Sequence, residues 1–308
     1  MANDSKALVL TRPMIARDLD NAGKGQLVYV GRDGDVRDPA SVRSRQAAAY
    51  AVFGGITAAG VALAATSFPL LVPFYVALGG RFLGTVRAVG RVNEASVALS
   101  NGDSAQGRAL AEPITRAWWA PARVRALAEL RIAIADALDG KGAEALERVR
   151  RARAKLSPRL IQHQFSYYTE CNLLIALGRT KEARAVLDAR GPIPQGEVLK
   201  LSYWIAQMHL YATEGEIPPN TLDDAELHER MRKGLSMTAG RDLLLLCAWC
   251  YAHRGEHDDA KFAWREAKDR EGSQRLDIAM PKLAAWMIEY AKERPDVEAP
   301  PPDEYDEL

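Results

Sequence analysis

A chain of 308 residues is long enough for one or two domains and a sizeable core. Its 41 Lys and Arg against 40 Asp and Glu leave a net charge of +1, so no global field argues for nucleic acid or for an acidic lipid surface. An apolar share of 48% excludes a polytopic transporter, and three cysteines are too few for a disulfide framework.

Residues 1–45 read as a polar arm. The only apolar run near the start is Ala7-Leu8-Val9-Leu10, closely followed by Pro13, among residues that are polar and carry several charges, which argues against a cleaved secretory signal. Gln26, Leu27, Val28, Tyr29 and Val30 read as a short strand, Asp33-Gly34 as a turn, and Val36-Arg37 as a return strand cut short by Pro39. A lone hairpin of this size needs a partner surface. The glycines of the arm lack the G-x-x-x-x-G-K-[ST] spacing, so no phosphate loop is expected.

Residues 46–80 contain no charged side chain, and the apolar character continues to residue 86 if Arg81 reaches for the headgroups. A helix of about 20 apolar residues crosses a bilayer. The segment 46–86 is therefore expected to be transmembrane or membrane-inserted, with a break at Ser67-Phe68-Pro69. Arginines on both flanks favour a hairpin that enters and leaves on the cytoplasmic side over a single span. A buried helix pair within a core or an oligomer interface is the competing reading, because the first half is mostly Ala and Gly.

In the body, residues 87–294, a glycine recurs among polar neighbours: Gly102, Gly140, Gly178, Gly215 and Gly255, at intervals of 38, 38, 37 and 40. An apolar helical pattern precedes each one, and glycine closes a helix cheaply in the left-handed conformation. Five positions later stand Gly107, Ala145, Ala183, Asn220 and Ala260, mostly small enough for two helices to press together. Nine positions later stand Ala111, Val149, Leu187, Asp224 and Trp264; four earlier stand Ala98, Asp136, Leu174, Tyr211 and Tyr251. The unit around Gly215 departs most, since Pro218 and Pro219 delay its second helix to about residues 221–234.

This spacing of large, small and aromatic residues around a turn glycine resembles the tetratricopeptide repeat family over about residues 90–290, with units longer than the usual ~34 residues. The resemblance implies an all-α fold, a degenerate TPR-like α-solenoid of helical hairpins, whose first helices line a groove for a protein or peptide ligand. Transferring the family's groove-facing offsets selects Arg131 and Ile134, Tyr168 and Asn172, Ile205 and His209, then Trp249 and His253. Asn172 matches the asparagine with which some family members clamp a peptide carboxylate. Ser202 and Ala206 stand where that clamp wants Lys and Asn, so the clamp itself is not expected.

Chemistry is scarce. Cys247-x-x-Cys250-x-x-His253-x-x-x-His257 has metal-like residue types, but one helix cannot converge all four, so no metal is expected. Cys171, Cys247 and Cys250 lie in apolar helical patterns and read as core thiols in a reducing compartment. No G-x-S-x-G, H-E-x-x-H or kinase signature appears, so neither an enzyme nor a cofactor is expected. The basic run 148–155 reads as a solvated face or a contact for phospholipid or an acidic partner. Trp118-Trp119 reads as a cap of the repeats or an interfacial pair near the anchor. The acidic, Pro-rich tail 295–308 is expected to be disordered.

Together these features describe a membrane-anchored helical repeat scaffold with its repeats in the cytoplasm, in a chain whose Ala and Arg content suits a bacterium of high genomic GC. The alternative is a soluble self-assembling protein whose apolar segment packs in an oligomer interface.

Overall fold

The computed structural model describes residues 29–30, 36–37, 39–233, 238–268 and 276–297. Apart from one two-residue strand pair, the described elements are helical. Tyr29–Val30 (β1) pairs antiparallel with Val36–Arg37 (β2), Tyr29 opposite Arg37 and Val30 opposite Val36. The expected start of that strand at 26–28 and the Asp33-Gly34 turn lie outside the described residues. So does 298–308 of the tail, whereas Pro295–Val297 forms a 3-10 turn that buries Val297.

Two compact units divide the chain, and they do not follow the boundaries expected from composition. One holds residues 25–166 with 195–198; the other holds 167–194 and residues from 199 onward.

The first unit begins with α1, Pro39–Ser67, which starts inside the expected polar arm. A 3-10 turn at Pro69–Leu71 follows, then α2, Val72–Ser100, with Pro73 in its first turn, where a missing N–H costs nothing. The second part of the apolar segment, from Val72, and the helix that leads to Gly102 are thus one continuous helix. Among the described residues no helix is long and apolar enough to cross a membrane. The span expected over 46–86 is corrected on that point. Much of α1 is Ala and Gly, and Arg81 and Arg87 interrupt α2. Next come α3 (Ser104–Arg116), α4 (Ala122–Leu138) and α5 (Gly142–Ala154). Ala88, Val92, Ala95, Ala111, Ile114, Val124, Ala128 and Ile132 form a shared core of α2, α3 and α4, and its many alanines let the helices approach closely.

The second unit holds most of α6 (Ile161–Ala176), α7 (Thr180–Arg190), most of α8 (Glu197–Glu214) and α9 (Ala225–Lys233). It continues with α10 (Thr238–His253), α11 (His257–Lys268), the short α12 (Leu276–Ala279) and α13 (Pro281–Glu293). Trp204, Met208, the run from Leu243 to Ala248, Trp264 and Tyr290 share its core. Trp286 of α13 stacks on Trp249 at 5.8 Å and on Tyr290 at 4.9 Å between ring centroids, so α13 closes the apolar face of α10 and α11.

All five repeat glycines have positive φ, between 73° and 77°. Four close their helices with one hydrogen-bond pattern. The glycine N–H donates to the carbonyl three residues back, and the following N–H donates to the carbonyl five residues back. Those second bonds are Asp103 to Ala98, Lys141 to Asp136, Arg179 to Leu174 and Glu256 to Tyr251, at 2.8–3.0 Å. This double closure is the Schellman motif. Gly215 instead makes a single bond to Tyr211, four residues back, at 2.8 Å. Its second helix then waits for Asp224, whose Oδ1 accepts from the N–H groups of Glu226 and Leu227 as an N-cap. Pro218 and Pro219 keep the backbone out of a helix in between, a later start than the expected residue 221.

The residues at fixed offsets from these glycines are mostly buried. Ala145, Ala183 and Ala260 are fully buried five positions after their glycines, as are Ala111 and Val149 nine positions after theirs. A Cβ on Gly107 would stand 2.6 Å from Leu99, so only glycine fits that crossing of α2 and α3 as it stands.

Candidate partner-binding site

Of the eight side chains expected in the groove, four are core. Tyr168, Ile205, His209 and Trp249 are all buried. Arg131, Ile134 and Asn172 are half-buried, and His253 is exposed. The offsets select positions on one side of each first helix, and in this chain neighbouring elements cover much of that side. Within the second unit Asn172 and His209 meet. Asn172 Oδ1 lies 3.1 Å from His209 Nδ1, so the neutral ring donates there. Burial pushes the His209 pKa down to about 4, helped by the charge of Lys282. Trp249 lies beside its own helix neighbour His253, with ring centroids 5.7 Å apart.

Arg131 is the unusual member. Its Nε is buried with no hydrogen-bond partner among the described residues, and burial lowers its pKa. A guanidinium in that setting gains from any carboxylate delivered to it. Tyr168 is pushed up to about 12, chiefly by burial and despite nearby Arg190, so its hydroxyl stays neutral.

A cleft of 560 Å³ in the second unit was not expected. Thr180, Lys181, Arg184, Tyr211, Glu214, Glu216, Ile217 and Pro218 line it. Arg184 pairs with Glu214 and lies over the Tyr211 ring, 5.9 Å from its centroid. The signal was present in sequence as the irregular Gly215 turn. The delayed second helix leaves the start of α7 uncovered beside the end of α8.

The Cys/His run does not converge. Cys247 and Cys250 are fully buried and burial pushes both thiols up, Cys250 Sγ facing the Met208 carbonyl at 3.8 Å. His253 is exposed, and His257 Nδ1 sits 3.3 Å from the Tyr290 hydroxyl. Several charges of the basic run 148–155 are engaged internally: Arg148 with Asp136, Lys155 with Glu129 and Arg150 with Glu147. Trp119 packs over Gly84, whereas its neighbour Trp118 is 86% exposed.

No protein-family model, curated protein or solved structure matches this chain, so its function has to be argued from its own geometry.

Proposed function

We propose that this chain is a TPR-like helical repeat protein, an α-solenoid of degenerate hairpins, that binds a protein or peptide segment carrying an acidic group and is held at a membrane surface by the α1–α2 hairpin. The observation that carries the reading is the fivefold recurrence of one unit: a helix, a positive-φ glycine and, except after Gly215, a small buried residue five positions on. Stacked hairpins of this type offer extended binding surfaces and need no catalytic group to do their work. Arg131 supports the acidic ligand, because its buried Nε has no hydrogen-bond partner among the described residues. The polar cleft around Lys181 and Arg184, where Arg184 is paired with Glu214, is a second surface open to a partner.

Site-specific photocrosslinking in the cells that make the protein tests this. A photoreactive residue at Ile134 or Lys181 of the full chain should give a discrete protein adduct, and Arg131→Glu should weaken the Ile134 adduct. If neither position crosslinks to protein, the binding reading is wrong. Membrane sedimentation tests the second half: a chain found only in the soluble fraction, as a monodisperse oligomer, would favour self-assembly through 46–86.

A further inference from the structure

The α1–α2 hairpin is closed by its own contacts. Phe53 stacks on Phe82 with centroids 3.7 Å apart, Tyr50 meets the same ring edge-on, and Gly60 receives the Tyr75 ring so closely that a Cβ would clash at 2.6 Å. The inward stripe is 53, 57, 60, 61 and 64 on α1, and nearly everything else from 54 to 66 is exposed. Leu63, Phe68, Leu70 and Phe74 are 65%, 65%, 93% and 62% exposed, and Leu70 stands at the tip. A partner helix covers a stripe of roughly 100°. Apolar exposure around both helices and over the tip calls for an apolar medium on all sides.

On α2 the distance from the tip to the first charge sets the depth. From Leu71 to Arg81 is ten residues, about 15 Å of helix, or half of a hydrocarbon core of about 30 Å. Arg81, Arg87 and Arg91 follow, all exposed. Trp119 packs on Gly84, three residues along α2 from Arg81, and its chain neighbour Trp118 is exposed. Between Asp38 and Glu94 the sequence has five arginines and no acidic residue, a local charge of +5 that the whole-chain value of +1 conceals. Basic and indole groups at that level match a headgroup layer with anionic lipid.

We propose that the hairpin inserts into a single leaflet of an anionic phospholipid membrane. Leu70 reaches the bilayer midplane, and Arg81, Arg87 and Trp118 stand in the headgroup layer. The proposal rests on the membrane reading above and deepens it, giving depth, sidedness and lipid charge. It also agrees with the absence, among the described residues, of any helix fit to cross. Insertion to half depth leaves the far headgroup layer uncrossed, so the turn between the two helices need not face a second aqueous side.

The test uses the purified full chain with an environment-sensitive fluorophore on Leu70→Cys or Leu83→Cys, the native thiols being buried. It is mixed with phosphatidylcholine vesicles with and without phosphatidylglycerol. The expected result is flotation with the anionic vesicles. The label at position 70 should be quenched best by a quencher deep in the acyl chains, and the label at position 83 by a shallow one. Dithionite trapped inside the vesicles should reach neither. Arg81→Gln with Arg87→Gln should weaken binding to the anionic vesicles about 30-fold, at the usual worth of a basic residue near such a surface. Reduction of the position 70 label by trapped dithionite would mean a crossing; the single-leaflet proposal fails while the membrane reading stands. Failure to float with any vesicle, with the label protected in an oligomer, removes both and assigns the apolar surface to a second copy of the chain.

Discussion

Arg108 of α3 donates through Nη1 to the buried carboxylate of Asp136 in α4 at 2.8 Å, and Arg148 of α5 donates to its other oxygen at the same distance. Asp136 occupies the position that Leu174 and Tyr251 fill in other repeats, four before the turn glycine. Here a charge cluster replaces an apolar contact and ties three successive helices. Arg108 also reaches Asp139, whose pKa is lowered by the Ser104 hydroxyl and by Arg108. Asp136→Asn should cost about 1–3 kcal/mol, the range for a hydrogen-bonded group that loses charged partners. Urea unfolding of the pair measures it, and an unchanged midpoint would show the cluster to be ornamental.

Glycine changes should have opposite signs at two positions. Gly178 has φ +75° and open space where a methyl would stand, so Gly178→Ala costs only backbone strain, about 1–2 kcal/mol. Gly90 is inside α2 with equally open space and no positive φ, so Gly90→Ala should stabilise by about 0.5–1 kcal/mol. Thermal melts of the two variants should move in opposite directions.

At Gly107 the sign depends on a neighbour. Alanine gains about 1 kcal/mol of helix propensity there but overpacks against Leu99 by about 1–3 kcal/mol. The net change should be a loss of up to about 2 kcal/mol. In a Leu99→Ala background the clash is gone, and the same substitution should stabilise. Four stability measurements give the coupling; additive effects would rule out the crossing as the constraint.

The buried neutral His209 predicts an acid-sensitive fold. Its folded pKa of about 4 lies below the ordinary 6.5 of the unfolded chain. Below pH 6.5 the unfolded state therefore takes up a proton that the folded state refuses. Stability is full above that pH and falls as the pH drops toward 4. The His209 share between pH 6.5 and 5 is about 2 kcal/mol. His209→Gln, which can still bond to Asn172, should flatten that part of the stability profile; an equally steep profile would assign the loss to other groups.

The three thiols report on unfolding. Cys171, Cys247 and Cys250 are buried, and burial raises the pKa of each, Cys171 to about 12. A thiol that stays protonated and covered does not react with disulfide reagents. In mildly alkaline buffer the native protein should remain unlabelled, and three equivalents should appear together across the denaturant transition. Labelling of the α10 pair before the far-UV signal changes would reveal local opening of the second unit's core.

Much of the helix pattern was legible in sequence because its signals are local. A positive-φ glycine, a delayed start after Pro218-Pro219 and a small residue at a fixed offset each act within one or two turns of chain. The candidate site was less legible. Offsets choose a side of a helix, yet whether Trp249 faces a ligand or a core depends on Trp286, 37 residues away in sequence. The cleft beside Arg184 likewise exists because a later helix starts late.

Short windows of the chain are enough to give the helical class, the turn positions and the long uncharged segment, since backbone conformation and charge patterning are properties of neighbouring residues. The remaining features came from packing. It buried four of the eight groove candidates, gave Asp136 partners 28 and 12 residues away, and folded α1 back on α2, the helix that carries the end of the apolar segment on to Gly102. Burial and pairing are sums over neighbours brought from distant parts of the chain, and no local pattern encodes which neighbours arrive.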